Sequence, residues 1–149
     1  MKPLIVLIGS FLFSALLLKL IHRHIDYKLA ARIAMTLMLV FTAIGHFAFG
    51  KGMQQMLPDF IPYRFEIVIL TGIMEICLAI GLLFPQYRII VGWMLIAFFV
   101  LVLPANIYAA LNHINYQTGE YNGNGLTYLW FRVPLQLFFI VWVYFSSLR

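Results

Sequence analysis

Five apolar runs of about 20 residues each, separated by short polar segments, constrain this chain more than any other feature of its sequence. They cover residues 3–21, 30–49, 65–84, 89–111 and 126–145. A helix needs about 20 apolar residues to cross the hydrocarbon core of a bilayer. Each run is therefore predicted to be a transmembrane helix. Because the runs take up roughly 100 positions, the chain has room for short loops and for no separate extramembrane domain.

The composition excludes a soluble domain. Hydrophobic residues make up 64% of the 149 residues and charged residues 10%, whereas soluble domains carry about 25% charged residues. A chain of this length cannot bury so many apolar side chains in a core of its own. The first run lies near the N-terminus like a signal peptide, but it is longer than the apolar region of one and no A-x-A site follows it. We expect it to be retained, which predicts an all-α polytopic transmembrane bundle.

Several kinds of function are disfavoured by the sequence. The single cysteine, Cys77, cannot form an intramolecular disulfide, a CxxC redox motif or a thiolate metal cluster. The net charge of +5 is spread over the flanks of the spans, which argues against nucleic-acid binding. The sequence shows no metal-ligand spacing, no glycine-rich phosphate loop and no catalytic triad pattern. We expect no metal and no intrinsic cofactor, and it stays open whether the protein is an enzyme.

Lysine and arginine residues predict the orientation, because they are enriched on the cytoplasmic side of membrane proteins. Six of them fall on one side of the proposed topology: Lys19, Arg23, Lys28, Arg32, Arg88 and Arg149. The other side has Lys2, Lys51 and Arg64. We therefore expect the N-terminus outside and the C-terminus in the cytoplasm.

Polar side chains inside the predicted spans are the candidate ligand-binding residues. Ionisable groups cost roughly 2.5 to 3.5 kcal/mol at the centre of a membrane, so they usually face a bundle interior or a wet cavity. Glu75 lies about nine residues, or about 13 Å, into the third span. The topology places all the candidates in the outer half of the membrane, around a pocket closed by the 50–64 segment with its two prolines. They are His46, Glu75, Asn106, Arg132 and Gln136.

Helical spacing adds further polar side chains to these faces. Residues four apart lie on one face of a helix, which aligns Thr42 with His46, Thr71 with Glu75, and Tyr128 with Arg132 and Gln136. A carboxylate and a guanidinium in an apolar cavity can orient a largely hydrophobic ligand with one or two polar ends, such as a quinone, a sterol or an isoprenoid. A protonated Glu75 could also pass a proton.

Each candidate has a structural interpretation as well. Glu75 and Arg132 can form an ion pair that neutralises two intramembrane charges, and such a pair is compatible with a pocket. His46 can be a hydrogen-bonded structural histidine. Asn106 and Gln136 each follow a proline by two residues, so their amides can satisfy backbone groups that the proline frees.

Four segments on successive spans carry a pattern that points to a family: GHFAFGKGMQQMLPDFIP at 45–62, LTGIMEICLAIGLLFP at 70–85, LPANIYAAL at 103–111 and WFRVPLQLFFIVW at 130–142. Together they resemble the DoxX family of small polytopic membrane proteins. A more distant similarity connects them to EXPERA-type bundles, whose intramembrane acidic residues contact a lipophilic ligand. The resemblance covers about residues 30–142.

The DoxX resemblance implies a four-helix membrane domain at 30–149. The transmembrane helix and the basic cytoplasmic loop at 1–29 go beyond this four-helix unit, so five helices are expected. It implies a bacterial inner-membrane protein, a redox or sulfur-metabolism partner and a quinone or a bound lipid as ligand. His46, Glu75, Asn106, Arg132 and Gln136 stand where the DoxX pattern has its polar residues, which supports their choice as site residues.

Two functions are therefore expected from the sequence, and a third is weaker. The first is binding of a lipophilic small molecule between the core helices, together with a redox partner. The second is a non-catalytic structural or assembly subunit, in which the polar residues only lock helices together. The third is transport of a small solute, which lacks a matching pair of broken helices although spans four and five contain prolines.

Overall fold

A computed structural model describes residues 2–23 and 26–149, and these residues form helices and turns without a β-strand. The helices are α1 (Lys2–His22), α2 (Tyr27–Ala48), α3 (Gly50–Met53), α4 (Arg64–Leu83), α5 (Arg88–Leu111) and α6 (Leu126–Val143), with a 3-10 turn at Gln54–Met56 and a π-helical turn at Tyr144–Leu148. Five of them, all except α3, are long and apolar enough to cross a membrane. The predicted all-α class is confirmed, and the predicted basic loop before α2 lies partly outside the described residues.

Helix α1 packs along α2 and leaves most of its surface free. Leu7 and Ser14 are its buried residues, and Ala30 and Ala34 on α2 are fully buried. Small side chains at such positions let two helices approach closely. Asp26 begins α2, since its Oδ1 accepts a 2.9 Å hydrogen bond from the Leu29 amide. The exposed face of α1 is apolar, as a lipid-facing helix requires.

The core lies between α2, α4, α5 and α6. Helix α2 packs against α4, and α5 packs against α6, with a smaller contact joining α4 to α5. At that contact, a Cβ added to Gly81 would lie 2.9 Å from Val91 Cγ2, so the glycine permits the close approach. The fully buried apolar side chains of this core include Met35, Met38, Leu39, Leu82, Leu95 and Val143.

The two longest connections, residues 49–63 and 112–125, meet at one end of the bundle, which we call the loop end. The rings of Phe49 and Tyr116 meet edge to face with centroids 6.1 Å apart. A Cβ on Gly52 would collide with the Tyr116 carbonyl oxygen, so only glycine fits there. The stretch with Pro58 and Pro62 forms turns and no continuous helix, as predicted from the prolines.

The opposite end of the bundle carries the 84–87 turn and residues 144–149, and we call it the basic end. Here the chain beyond α6 continues as the π-helical turn, which packs against both α2 and α5. A Cβ added to Gly92 on α5 would lie 3.2 Å from Ser147 Cβ, so the π-helical turn approaches α5 closely at this glycine. Trp142 Nε1 donates a 3.0 Å hydrogen bond to the Ala31 carbonyl, and Lys28 Nζ donates a 3.1 Å bond to the Arg149 carbonyl. The last turns of the chain are thus anchored to the start of α2.

Candidate functional site

The candidate site begins where α4 approaches α2 most closely. A Cβ added to Gly72 would lie 2.8 Å from His46 Cβ, so a side chain at position 72 would push the two helices apart. Because position 72 is glycine, Val68 and Glu75, about one turn before and after it on α4, contact α2. Glu75 is one of them, and its side chain is buried with 4% of its surface exposed.

Glu75 is held by two residues of α2. Thr42 Oγ1 and Glu75 Oε1 are 2.6 Å apart and hydrogen bonded, and Glu75 Oε2 lies 3.5 Å from His46 Nε2. A buried carboxyl is costly unless it is hydrogen bonded or paired. The two helices therefore supply Glu75 with one short hydrogen bond and one longer ionic contact.

The other ring nitrogen of His46 faces α4. His46 Nδ1 lies 3.1 Å from the Val68 carbonyl oxygen and 3.2 Å from Thr71 Oγ1. The Val68 carbonyl can only accept a hydrogen bond, so a hydrogen on Nδ1 satisfies it. His46 Nε2 is then the nitrogen that points towards Glu75. We call Thr42, His46, Thr71 and Glu75 the His–Glu cluster.

The hydrogen bonds of the His–Glu cluster fit two placements of one proton. With the proton on His46, the imidazolium donates to Glu75 and to Val68, and Thr42 donates to the carboxylate. With the proton on Glu75, it lies on Oε2 and is directed at the free Nε2 of His46, while Thr42 still donates to Oε1. Both placements satisfy the backbone carbonyls. The cluster can therefore hold a proton on either residue without a change in geometry.

Arg132 does not form the ion pair with Glu75 that the sequence allows, because the carboxyl is already engaged by α2. No nitrogen of Arg132 lies within ion-pair distance of an acidic group in the described chain. Its guanidinium carbon lies 5.8 Å from the centre of the Tyr128 ring. Arg132 Nε is buried and has no hydrogen-bond partner among the described residues.

Asn106 and Gln136 contact backbone carbonyls. Asn106 Nδ2 donates a 3.1 Å bond to Val102 O in its own helix, and Gln136 Nε2 donates a 2.7 Å bond to Phe99 O across the α5–α6 interface. Neither amide reaches the Val100 carbonyl, the acceptor that Pro104 frees. Asn106 Oδ1 is buried and unpartnered within the described residues. Gln136 thus has an interhelical role, and Asn106 offers a free acceptor.

A cavity of about 200 Å³ lies at the loop end, beneath the 112–125 connection. Ala109, Ala110, Ile114, Met56 and Tyr128 contribute to its wall, together with polar residues of the connection. The five side chains predicted as ligand-binding residues do not line this cavity. Tyr128 connects the cavity to one of the five predicted residues, because its ring lines the cavity and also contacts Arg132. The cavity is closer to the loop end than the sequence predicts, and it lies under a different loop.

The five predicted residues are thus distributed over two groups. His46 and Glu75 are in direct contact and form one group. The others lie on α5 and α6, where Arg132 contacts the Tyr128 ring of its own helix. Asn106 and Gln136 lie on α5 and α6 and contact backbone instead. In the part of the chain that is described, no three His, Cys, Asp or Glu side chains converge as metal ligands.

Helical spacing places Thr42, Thr71 and Tyr128 on the faces of the candidates, but it does not show that Thr42 contacts Glu75 or that Thr71 contacts His46. From the sequence, Arg32 is one more basic residue at a membrane flank. In the structure Arg32 is buried, with 6% of its surface exposed. No spacing signal distinguishes it from the exposed basic residues nearby.

Residues 35–147 match a family described as a domain of unknown function, DUF8561, and the chain belongs to this family. The assignment to the DoxX family is therefore wrong, and the more distant similarity to EXPERA-type bundles has no support either. No curated protein and no solved structure matches the chain. The matched region begins within α2 and ends in the π-helical turn, so it contains the His–Glu cluster, Arg132 and Gln136.

Proposed function

We propose that this DUF8561 member is a five-span membrane protein, with its loop end outside and its basic end in the cytoplasm. The excess of lysine and arginine at the basic end supports this orientation. The four helices α2, α4, α5 and α6 form the core of the bundle, and α1 lies at its periphery. The N-terminus is then outside and the C-terminus inside.

We further propose that the outer half of this core binds the polar end of a lipophilic molecule and exchanges a proton with it. The observation that carries the proposal is a set of buried atoms on three different helices that make no hydrogen bond within the described residues: Asn106 Oδ1, Arg132 Nε and Glu75 Oε2, whose one contact is with His46 Nε2 at 3.5 Å. Buried polar atoms in native proteins almost always have a partner, so each unpartnered atom calls for an explanation such as a water or a ligand. Two acceptors and one donor in one half of a membrane suit a ligand that both accepts and donates hydrogen bonds.

The chemistry of the surroundings defines the ligand class. The cluster is enclosed by apolar helix faces, and Arg132 on α6 adds a cation to the outer half of the core, so a ligand with an apolar body and a carbonyl or hydroxyl head is favoured. A quinone and a lipid with a polar head both have this form. The His–Glu cluster can then give its proton to the head or take one from it. The expectation of a redox or sulfur-metabolism partner rests on the DoxX resemblance alone, and it loses its support with that resemblance.

Substitution of Glu75 tests this proposal. The purified full chain in detergent is titrated with a short-chain ubiquinone while its thermal unfolding is followed, and lipid extracts of the same preparation are analysed by mass spectrometry. Glu75→Gln keeps the size of the side chain and removes its ability to hold a negative charge. We expect this variant to fold and to lose the ligand-induced rise in Tm. Glu66→Gln is the matched control, because Glu66 is exposed in the first turn of the same helix.

The competing function is that of a structural or assembly subunit, and the interhelical bonds from Thr42 to Glu75 and from Gln136 to Phe99 favour it. It predicts that Glu75→Gln lowers the Tm of the protein alone and that no extracted molecule or added quinone changes the Tm of the wild type. That combination of results would contradict ligand binding.

A further inference from the structure

A second unpartnered group lies at the basic end, far from the His–Glu cluster. Arg32 is in the second turn of α2, and its side chain is 94% buried, since 6% of its surface is exposed. Its Nε and Nη1 atoms are both buried, and neither has a hydrogen-bond partner among the described residues. A guanidinium carries five N–H donors and is always charged. A buried cation without partners destabilises a fold unless something compensates it.

The neighbours of Arg32 do not supply the negative charge that its buried guanidinium lacks. Arg32 lies one turn after Lys28, on the face of α2 that contacts the π-helical turn. That turn presents two buried hydroxyl side chains, Ser146 and Ser147, which carry no charge. A second cation, Arg88, begins α5, the other helix that the π-helical turn contacts, and the acidic Asp26 immediately precedes α2.

Asp26 cannot compensate for both arginines. Its Oδ1 accepts the hydrogen bond that begins α2, and its side chain is exposed. Within the described chain it forms no ion pair with Arg32 or Arg88 at the 4.0 Å limit. The basic end thus combines a buried guanidinium, a half-buried one and a nearby ammonium group, Lys28, with one solvated carboxylate.

We propose that Arg32, with Arg88 and Lys28, binds the phosphate of an anionic ligand at the basic end of the bundle. The planar fork of arginine binds phosphate and carboxylate groups bidentately, and phosphate is the anionic group that a membrane surface supplies. In a membrane protein, basic side chains gathered between helix ends at the surface of the bilayer suit the headgroup of an anionic phospholipid. Free phosphate has the same chemistry, and the experiment below distinguishes the two sources. This site is independent of the His–Glu cluster.

The test uses the delipidated full chain in a neutral detergent and follows its thermal unfolding. Phosphatidylglycerol, phosphatidylcholine and inorganic phosphate are added separately. We expect phosphatidylglycerol to raise the Tm of the wild type by about 5 °C at saturation, because a ligand that binds only the folded state stabilises it. Phosphatidylcholine, which has no net charge, should leave the Tm unchanged. If inorganic phosphate raises the Tm as much as phosphatidylglycerol does, the ligand is a free phosphate; if none of the three raises it, the proposal is wrong.

Arg32→Gln gives a result that a structural role would not produce. Without lipid, the variant should be at least as stable as the wild type, because it removes a buried charge that has no partner. With phosphatidylglycerol, the wild type should gain stability and the variant should not. A variant that is less stable without lipid and still responds to phosphatidylglycerol would overturn the proposal.

Two further variants keep the test decisive if Arg32→Gln fails to fold. Arg88→Gln changes a half-buried residue and should weaken phosphatidylglycerol binding about tenfold or more, as the loss of a charged hydrogen bond does. Lys19→Gln is the control, since it removes one exposed charge near the same end of the bundle. Equal losses in Arg88→Gln and Lys19→Gln would mean general surface attraction in place of a site, and would also overturn the proposal.

Discussion

Glu75 Oε2 on α4 lies 3.5 Å from His46 Nε2 on α2, which joins the two ionisable residues of adjacent helices inside the bundle. The distance is longer than that of a strong charged hydrogen bond. The positions of the Glu75 and His46 side chains are therefore fixed mainly by the other residues that each of them contacts. Thr42 holds the carboxyl, and the Val68 carbonyl orients the imidazole. A small movement of either helix would bring the pair into full contact or separate it.

Thr42→Val should destabilise the protein by about 1–3 kcal/mol. The substitution keeps the shape of the side chain and removes the hydroxyl that is 2.6 Å from Glu75 Oε1, which leaves a buried carboxyl oxygen without its hydrogen bond. Unfolding in sodium dodecyl sulfate, followed by circular dichroism, measures the change. Thr127→Val is the control, because Thr127 is exposed in the first turn of α6. Equal effects of the two substitutions would show that the hydrogen bond does not contribute.

Gly72→Ala should also destabilise the fold, by about 1–3 kcal/mol, because its Cβ would lie 2.8 Å from His46 Cβ and force α2 and α4 apart. The matched control is Gly9→Ala in α1, where an added Cβ meets nothing within 4 Å. In a helix that change should stabilise by about 0.5–1 kcal/mol. The two variants are thus expected to shift the Tm in opposite directions, and a gain of stability for Gly72→Ala would contradict the close packing.

Trp142→Phe should lower the free energy of unfolding by about 1 kcal/mol. Trp142 Nε1 donates to the Ala31 carbonyl at 3.0 Å, and phenylalanine keeps an aromatic ring but loses the donor. The control, Trp130→Phe, changes a side chain that is 84% exposed and should have an effect within about 0.5 kcal/mol of zero. Chemical unfolding of both variants under the same conditions measures the two changes in the free energy of unfolding. A larger loss for Trp130→Phe would mean that the exposed ring has an unrecognised partner.

Cysteine labelling should report the proposed orientation. In a Cys77→Ala background, Lys51→Cys places a thiol in the 49–63 connection and Gln86→Cys places one in the 84–87 turn, both exposed. A membrane-impermeant maleimide applied to intact spheroplasts should label position 51 and leave position 86 unlabelled until the cells are broken. The reverse pattern would mean that the positive charges do not set the topology of this chain.

The helices could be predicted well because one physical quantity, the thickness of the bilayer, fixes the length of an apolar run. Helix α2 begins at Tyr27 where the sequence predicts residue 30, and the other three core helices begin at or within one residue of the predicted positions. The last helix continues as a π-helical turn, which apolar periodicity does not reveal.

The partner of Glu75 could not be predicted. The sequence shows that Glu75, His46 and Arg132 lie at similar depths, but the choice among them depends on the rotation of each helix and on which pair packs closely. Gly72 decides this by bringing α4 against His46. The burial of Arg32 was equally hidden, because it requires the π-helical turn, more than 110 residues away along the chain, to fold back on α2.

Pro104 divides α5 into two arms, and Gln136 is hydrogen bonded to Phe99, just before the missing backbone bond. The hydrogen bond from Gln136 holds the longer part of α5, before Pro104, against α6. The shorter part, after Pro104, is about 10 Å long and contributes Ala109 and Ala110 to the wall of the cavity. Bending of α5 at Pro104 would change the width of the cavity and leave the packing of the longer part of α5 against α6 intact. We expect Pro104→Ala, which restores the backbone hydrogen bond to the Val100 carbonyl, to stiffen α5 at this point.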